Sequence, residues 1–235
     1  MRSLSQVFAG LSLYKKIDST LRGPWVEEVE ELLELTGYAQ AVVCPAFPSQ
    51  GRTVRGGWLW LHGERVARIE CPFEVRDAST EEELAQVAAG ICEAVLPVGS
   101  AGLARHVFAG LGGTAPPLPR PGTGEWLVLV GSDHPVSQEQ MRAARAAGVT
   151  VNPEVAPDPP AAVFATGGET AAQFLRRSGA QGIASLRELL PGIPAGVILG
   201  GRYNGLLMVA KAGGFGATDT IVRAIGLCSR ASESR

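Results

Sequence analysis

The sequence predicts an α/β protein of two domains with mostly parallel sheets flanked by helices, and three observations predict it. Beyond residue 125, strand-like and helix-like segments alternate, which is the pattern of a parallel sheet covered on both faces. A proline- and glycine-rich run, LGGTAPPLPRPGTG at 111–124, separates that half from the first. With 46% hydrophobic residues in a chain of 235, there is enough apolar side chain for one large core or two small ones. The expected division is a domain over 1–110, a linker over 111–124 and a domain over 125–235.

The elements follow from local signals. The N-terminus, MRSLSQVFAGLSLYKK, reads as the end of an amphipathic helix, because serines and glycine interrupt its apolar run and no cleavage site follows. A helix is expected over Pro24–Thr36. Proline suits its first position, Gly37 its stop, and Trp25, Val26, Val29, Leu32 and Leu33 form one apolar face. Ala41–Cys44 reads as a buried strand ended by Pro45. Residues 58–69 alternate around His62-Gly63 as a hairpin. Residues 80–95 read as a helix opened by Thr80 with Glu83 in a capping box, and Gly99–Gly102 opens another.

In the second half, strands are expected at 126–130, 161–165, 196–199 and 206–210. Helices are expected at 135–147, 169–178 and from about 218 to 225. No repeat of fixed period is present.

Composition narrows the function. The net charge of −2 offers no basic excess for a nucleic-acid backbone and no charged tail. No stretch is long and apolar enough to span a bilayer, so a cytoplasmic protein is the default expectation. Cys44, Cys71, Cys92 and Cys228 form no CxxC pair, and His62, His106 and His134 are far apart in sequence. The cysteines read as free buried thiols, and no Cys/His metal cluster is expected.

Two constellations carry chemistry. In the second half, three glycine turns each follow a strand and open a helix: Gly131-Ser132, Thr166-Gly167-Gly168-Glu169-Thr170, and Gly213-Gly214-Phe215-Gly216, the last preceded by Lys211. Such turns line the crevice at the carboxyl ends of parallel strands, where helix N-termini present free N–H groups and glycine lets an anion approach. One such turn alone is no more than a tight connection; three together point to an anionic ligand without naming it. Neither GxxxxGK[ST] nor GxGxxG occurs, so no P-loop or dinucleotide fingerprint is present.

In the first half, Lys15, Lys16 and Arg22 bracket Asp18, Ser19 and Thr20. Cations hold carboxylates, hydroxyls bind sugar hydroxyls, and Asp18 is placed to accept a proton. The plainer alternative is a capped helix with solvated lysines. A second polar loop, Pro45–Thr53, adds Arg52 at a strand end.

These strings, KKIDSTLRG followed by a helix and then CPAFPSQGRT, resemble the four-carbon acid sugar kinases, a family once catalogued as a domain of unknown function. DAST at 77–80, GSAGLA at 99–104, GSDHPVSQEQ at 131–140, TGGETA at 166–171 and KAGGFG at 211–216 follow in family order. The resemblance implies an N-terminal domain for the sugar acid, a C-terminal domain for ATP, and an active site in the cleft between them. It implies transfer of a phosphoryl group from ATP, with Mg²⁺, to the terminal hydroxyl of an acid such as threonate, erythronate or a 3-oxo-tetronate. Carried over, Ser132, Gly167, Gly168, Glu169, Thr170, Lys211, Gly213, Gly214 and Gly216 become ATP contacts. Lys16, Ser19, Arg22 and Arg52 become substrate contacts, and Asp18 the catalytic residue. The implied partners are the acid and ATP, with no nucleic acid or membrane, and a homo-oligomer is left open.

The sequence departs from the family pattern. The DDxTG turn that follows the family's first strand is absent, and the segments between His62 and Asp77 and between Gln140 and Thr166 are short. An N-terminal sheet without its first strands is expected to expose an edge. Two rival readings follow. One is a non-catalytic nucleotide-binding remnant of the kinase. The other is an unrelated α/β enzyme acting on a phosphorylated sugar, disfavoured by the lack of a His or Cys catalytic pair.

Overall fold

The computed structural model describes residue 8 and residues 11–111 and 116–230; the helical end expected at the N-terminus falls largely outside them. The chain divides into two compact units, Met1–Gly112 and Gly113–Arg235.

The first unit holds two sheets. One has the order β1-β7-β2-β6, all parallel, from β1 (Lys15–Lys16), β2 (Gln40–Cys44), β6 (Glu74–Val75) and β7 (Val95–Gly99). Both edges are two-residue strands, too short to template another chain. The other sheet is antiparallel, β3-β4-β5, from Arg52–Arg55, Trp58–Leu61 and Glu64–Arg68. Its turns are Gly56-Gly57 and His62-Gly63, all four residues at positive φ, as tight hairpins require.

Helix α1 (Trp25–Thr36) begins after Pro24 and ends at Gly37, which is left-handed and donates its N–H to Leu33 O at 3.2 Å. Its Trp25 and Val29 join Val43, Leu84, Leu96 and Leu103 in the core. Helix α2 (Glu81–Ala89) is capped at Thr80, whose hydroxyl accepts the Glu83 N–H at 3.2 Å. A short α3 (Ala101–Val107) follows β7, capped by Ser100.

The second unit is one five-stranded sheet, β10-β11-β12-β9-β8. β8 (Leu127–Val130), β9 (Val163–Thr166) and β12 (Leu207–Lys211) run parallel, while β10 (Gly182–Leu190) and β11 (Ile193–Leu199) form an antiparallel hairpin on the β12 side. Helices α4 (Pro135–Ala146) and α6 (Thr220–Arg230) cover one face through Ala144, Ile221, Ala224 and Cys228. Helix α5 (Gly168–Arg177) covers the other through Ala171 and Phe174.

Two expectations are corrected. The helix read over 80–95 stops at Ala89, because the chain must turn to deliver Val95–Gly99 as a fully buried central strand. The mostly parallel sheet expected in the second half is present, with the antiparallel β10–β11 pair added at its β12 side. The cysteines are not all buried: Cys44 and Cys228 are, but Cys92 is exposed. No helix among the described residues is long and apolar enough to cross a membrane.

Phe164 is fully buried at the centre of the second unit's core. Phe164→Ala is expected to destabilise the protein by about 3–5 kcal/mol, read as a lower urea midpoint.

Candidate functional site

Each unit gathers its chemistry at the carboxyl ends of its parallel strands. In the first unit, β1 leaves the sheet as Ile17 donates its N–H to Gly99 O at 2.8 Å, and the chain enters the Asp18–Arg22 turn. Asp18 organises that turn. Its Oδ2 accepts the Thr20 N–H at 3.0 Å and the Thr20 hydroxyl at 2.5 Å, and Arg22 grips both carboxylate oxygens at 3.0 and 2.8 Å. Arg22 first, then the Thr20 bonds, hold the Asp18 carboxyl far below the usual carboxylate range, against the opposing pull of partial burial. Leu21 sits at φ 64°, a conformation a branched side chain rarely takes, so the surrounding structure imposes the turn.

The other basic residues collect around the same carboxylate. Lys16 donates to Ile17 O at 2.7 Å, and partial burial lowers its proton affinity while the Asp18 charge raises it. Arg52 is 5% exposed, bonds Gln50 O, and feels the same two influences. Ser19 is buried in the turn. Lys15 is committed elsewhere, to Glu28 at 2.6 Å. The turn therefore combines one carboxylate, already saturated with donors, and three cations. Arg22, its side chain 80% exposed, and Lys16 are accessible, while Arg52 is buried.

Asp18 is placed poorly for the role of base read from the sequence. A carboxylate held in a bidentate ion pair has little affinity for a proton. Its evident work is to hold Arg22 and Thr20.

In the second unit the three glycine turns meet. Gly131 donates its N–H to Thr166 O at 3.4 Å, and Gly167 donates to Lys211 O at 2.9 Å, which ties the ends of β8, β9 and β12 together. A Cβ on Gly131 would run into Thr170 Oγ1, and one on Gly213 into Ser132 Oγ. A Cβ on Gly167, at φ 98°, would lie 3.3 Å from Thr170 Oγ1 and 3.6 Å from Ser132 Cβ. Ser132, Gly167, Thr170 and Gly213 thus form a single patch, and glycine is required for so close an approach. Gly167 caps α5, and Gly168 has open space where a Cβ would stand. The side chain of Glu169 turns along the helix to Arg176 at 2.7 Å, so what it offers the turn is its backbone N–H.

Lys211 lies beneath the patch, 4% exposed, its Nζ on Gly213 O at 3.0 Å; burial alone pushes it down to about 8. Beside it on β9, the Thr166 hydroxyl is buried with no hydrogen-bond partner.

Helix α4 holds the third turn, and the sequence reading missed this. Ser137 donates its hydroxyl to Gly213 O at 2.7 Å, and the buried Gln140 amide donates to Phe215 O and Ala217 O, both at 2.9 Å. In a trans peptide the N–H points opposite to the C=O. With the carbonyls of Gly213, Phe215 and Ala217 turned into α4, the N–H groups of Gly214, Gly216 and Thr218 face away from it. Gln138 adds a bond to Ser132 O at 2.8 Å. The signal in the sequence was two polar residues, Ser137 and Gln140, three apart on a face otherwise bearing Met141 and Ala144.

Comparison with known proteins agrees with this division. A family model described as a sugar-binding N-terminal domain matches residues 2–72, and one described as a nucleotide-binding C-terminal domain matches 153–221. A curated D-threonate kinase of Bordetella bronchiseptica is 30% identical, over 90% of this chain and 76% of its own length. The chain belongs to the four-carbon acid sugar kinase family. A D-threonate kinase of Cupriavidus necator is 34% identical over 58% of this chain and 46% of that protein. A solved Haemophilus influenzae protein matches with a TM-score of 0.63 at 16% identity, over 96% of this chain and 87% of that one, a likeness of fold. The Bordetella alignment runs over 311 residues, more than the 235 of this chain, so that family member carries internal stretches with no counterpart here.

Gln140→Leu keeps the bulk and removes both hydrogen bonds from α4 to Phe215 O and Ala217 O. It is expected to destabilise the protein by about 1–3 kcal/mol in urea unfolding.

Proposed function

We propose that the protein is an ATP-dependent kinase that phosphorylates the terminal hydroxyl of a four-carbon sugar acid, of the threonate, erythronate or 3-oxo-tetronate type. What carries the reading is the meeting of three glycine turns above Lys211 at adjacent strand ends, in the unit matched as nucleotide-binding. The names of the curated family members support the substrate class.

The residues divide the work. The α5 N-terminus and the outward amides of the 213–218 turn suit a polyphosphate, with Ser132 and Thr170 hydroxyls beside it and Lys211 supplying charge. Arg22, with Lys16 and Arg52, suits the carboxylate of the acid, and Ser19 and Thr20 its hydroxyls. In the reaction the terminal hydroxyl oxygen bonds to the γ-phosphorus, the bond from that phosphorus to the β–γ bridging oxygen breaks, and ADP leaves. The hydroxyl proton is lost to solvent. Such a loose transition state needs positioning and charge neutralisation more than a strong base, which is compatible with an Asp18 engaged by Arg22.

Among the described residues no three His, Cys, Asp or Glu side chains converge as a metal cage. The donor set would fit Mg²⁺ carried on the polyphosphate, with the exposed carboxylate of Asp133 beside the turns available to it. When bound, Mg²⁺ offsets the charge of the transferring phosphoryl group.

One observation favours a second reading, a nucleotide-binding protein without turnover: the internal stretches of the Bordetella kinase that are missing here. An ADP-release assay with D-threonate, D-erythronate and their stereoisomers separates the two. Acid-dependent ADP release is expected, and ATP binding without release for any acid would establish the second reading.

Two further outcomes are expected. Arg22→Ala raises KM for the acid by roughly 10–100-fold, the worth of a charge-assisted bond, and leaves KM for ATP unchanged. A lysine near 8 is charged below that pH and neutral above it, so ATP affinity falls as pH rises through about 8. Lys211→Met is expected to weaken ATP binding and to flatten that dependence, measured by titration calorimetry from pH 6.5 to 9.5.

A further inference from the structure

We propose that two copies of this chain pair through the first unit, the glutamate stripe of α1 in each copy lying on the outer face of the β3–β4–β5 sheet of the other. Fully buried Val54 and Leu59 mark the inner face of that sheet. Residues directly opposite in a ladder share a face. The pairs Arg55–Trp58, Trp58–Arg68 and Trp60–Arg65 therefore place two tryptophans and three arginines on the outer face.

The Arg65 and Arg68 guanidiniums lie 4.4 and 5.9 Å from the Trp58 ring centre, and that of Arg55 lies 5.8 Å from the Trp60 ring centre. All three arginines are exposed, and none forms an ion pair among the described residues. Arg55 donates to Ser79 Oγ at 2.9 Å. The Trp60 Nε1 has no acceptor among the described residues. Tryptophan and arginine are the residues enriched where proteins meet.

Helix α1 carries the complement. Glu27, Glu30, Glu31 and Glu34 are exposed at i, i+3, i+4 and i+7, a single stripe on the side away from the buried Trp25 and Val29. None of the four forms an ion pair among the described residues. Like charges at i and i+4 oppose a helix, and the last turn holds no cation to answer the macrodipole. The stripe is adverse to the helix alone and becomes favourable where cations face it.

The dimensions agree. Seven residues of helix span about 10 Å. Arg55 and Arg68 stand two strand spacings apart, about 10 Å, so one helix covers the three-stranded face. A second copy is the occupant because one unit holds both halves, three cations and four anions left without partners. The two patches are unlike, and their reciprocal exchange closes the pair as a two-fold dimer.

The test is sedimentation velocity of the full chain at about 100 µM, in about 50 mM and about 500 mM NaCl. At low salt the wild type is expected to be mostly a species of twice the 24.5 kDa chain, and its Kd to rise at least about ten-fold at high salt. Arg65→Glu with Arg68→Glu, and separately Glu31→Lys with Glu34→Lys, are each expected to be monomeric, because like charges then meet. Mixed in equal amounts, the two reversed chains are expected to regain the dimer, since each now presents what the other needs. Arg142→Glu with Arg223→Glu changes the net charge equally from exposed positions in the second unit, and is expected to pair as the wild type does.

Where a reversal unfolds the chain, seen by circular dichroism, Arg65→Gln with Arg68→Gln takes its place and is expected to weaken the dimer at least about ten-fold. A wild type monomeric at low salt overturns the pairing. So does a dimer that survives both reversals, a mixture that stays monomeric, or an equal loss on changing Arg142 and Arg223.

Discussion

The Gln140 amide, buried under the 211–217 turn, is the interaction on which the second unit's site depends. A glycine-rich segment has no preferred conformation of its own, since glycine loses more freedom on ordering than any other residue. Two bonds from one side chain fix Phe215 O and Ala217 O, and Ser137 fixes Gly213 O. Peptide planarity then dictates where the alternate N–H groups go. The carbonyls are spent inward on the helix, and the alternate N–H groups face away from it. The cost is a buried amide whose own oxygen has no partner in the described structure. Such a group is tolerated where the geometry it secures is worth more than the bond it forgoes.

The first unit solves a different problem with the same economy. Cations brought together repel one another unless something negative sits among them. Asp18 is that group for Lys16, Arg22 and Arg52, and its field reaches all three. Because it is saturated by Arg22 and Thr20, it anchors the cluster without cancelling it. The remaining positive charge is available to an anion, and the left-handed Leu21 shows how firmly the turn is held.

What was legible in the sequence is what is decided locally. Pro24 and Gly37 bound α1, Thr80 and Glu83 open α2, His62-Gly63 turns the hairpin, and the glycine turns of the second half stand at strand ends as their spacing implied. What was illegible is decided at a distance. Strand β7 is central and wholly buried, yet it carries Pro97, which has no N–H to give a ladder and so hides a strand. Strand β10 changes register twice against β11, at Ser185/Arg187 and at Glu188/Leu190, and no period of two survives those bulges. In the site, the glycines were visible because their need is backbone geometry. Ser137 and Gln140 looked like surface polar residues because the carbonyls they serve lie 75 to 77 positions further along the chain.

The same locality bears on the internal stretches of the Bordetella kinase that have no counterpart in this chain. The Asp18 cluster is built from residues 16–22 and 45–52, held by the ends of β1, β2 and β7. The glycine patch is built from the ends of β8, β9 and β12 and from α4 and α5. Of the two short segments identified in the sequence, 62–77 meets the first cluster through His62, whose N–H bonds Gly51 O, and 140–166 meets the patch through Gln140, through Thr166 and through Asn152, which pairs with Val130 at the end of β8. The rest of each segment is connection, whose entropic cost changes slowly with length. The contacts that no shortening of the chain can replace are Asp18 with Arg22, and Gln140 with the turn it holds.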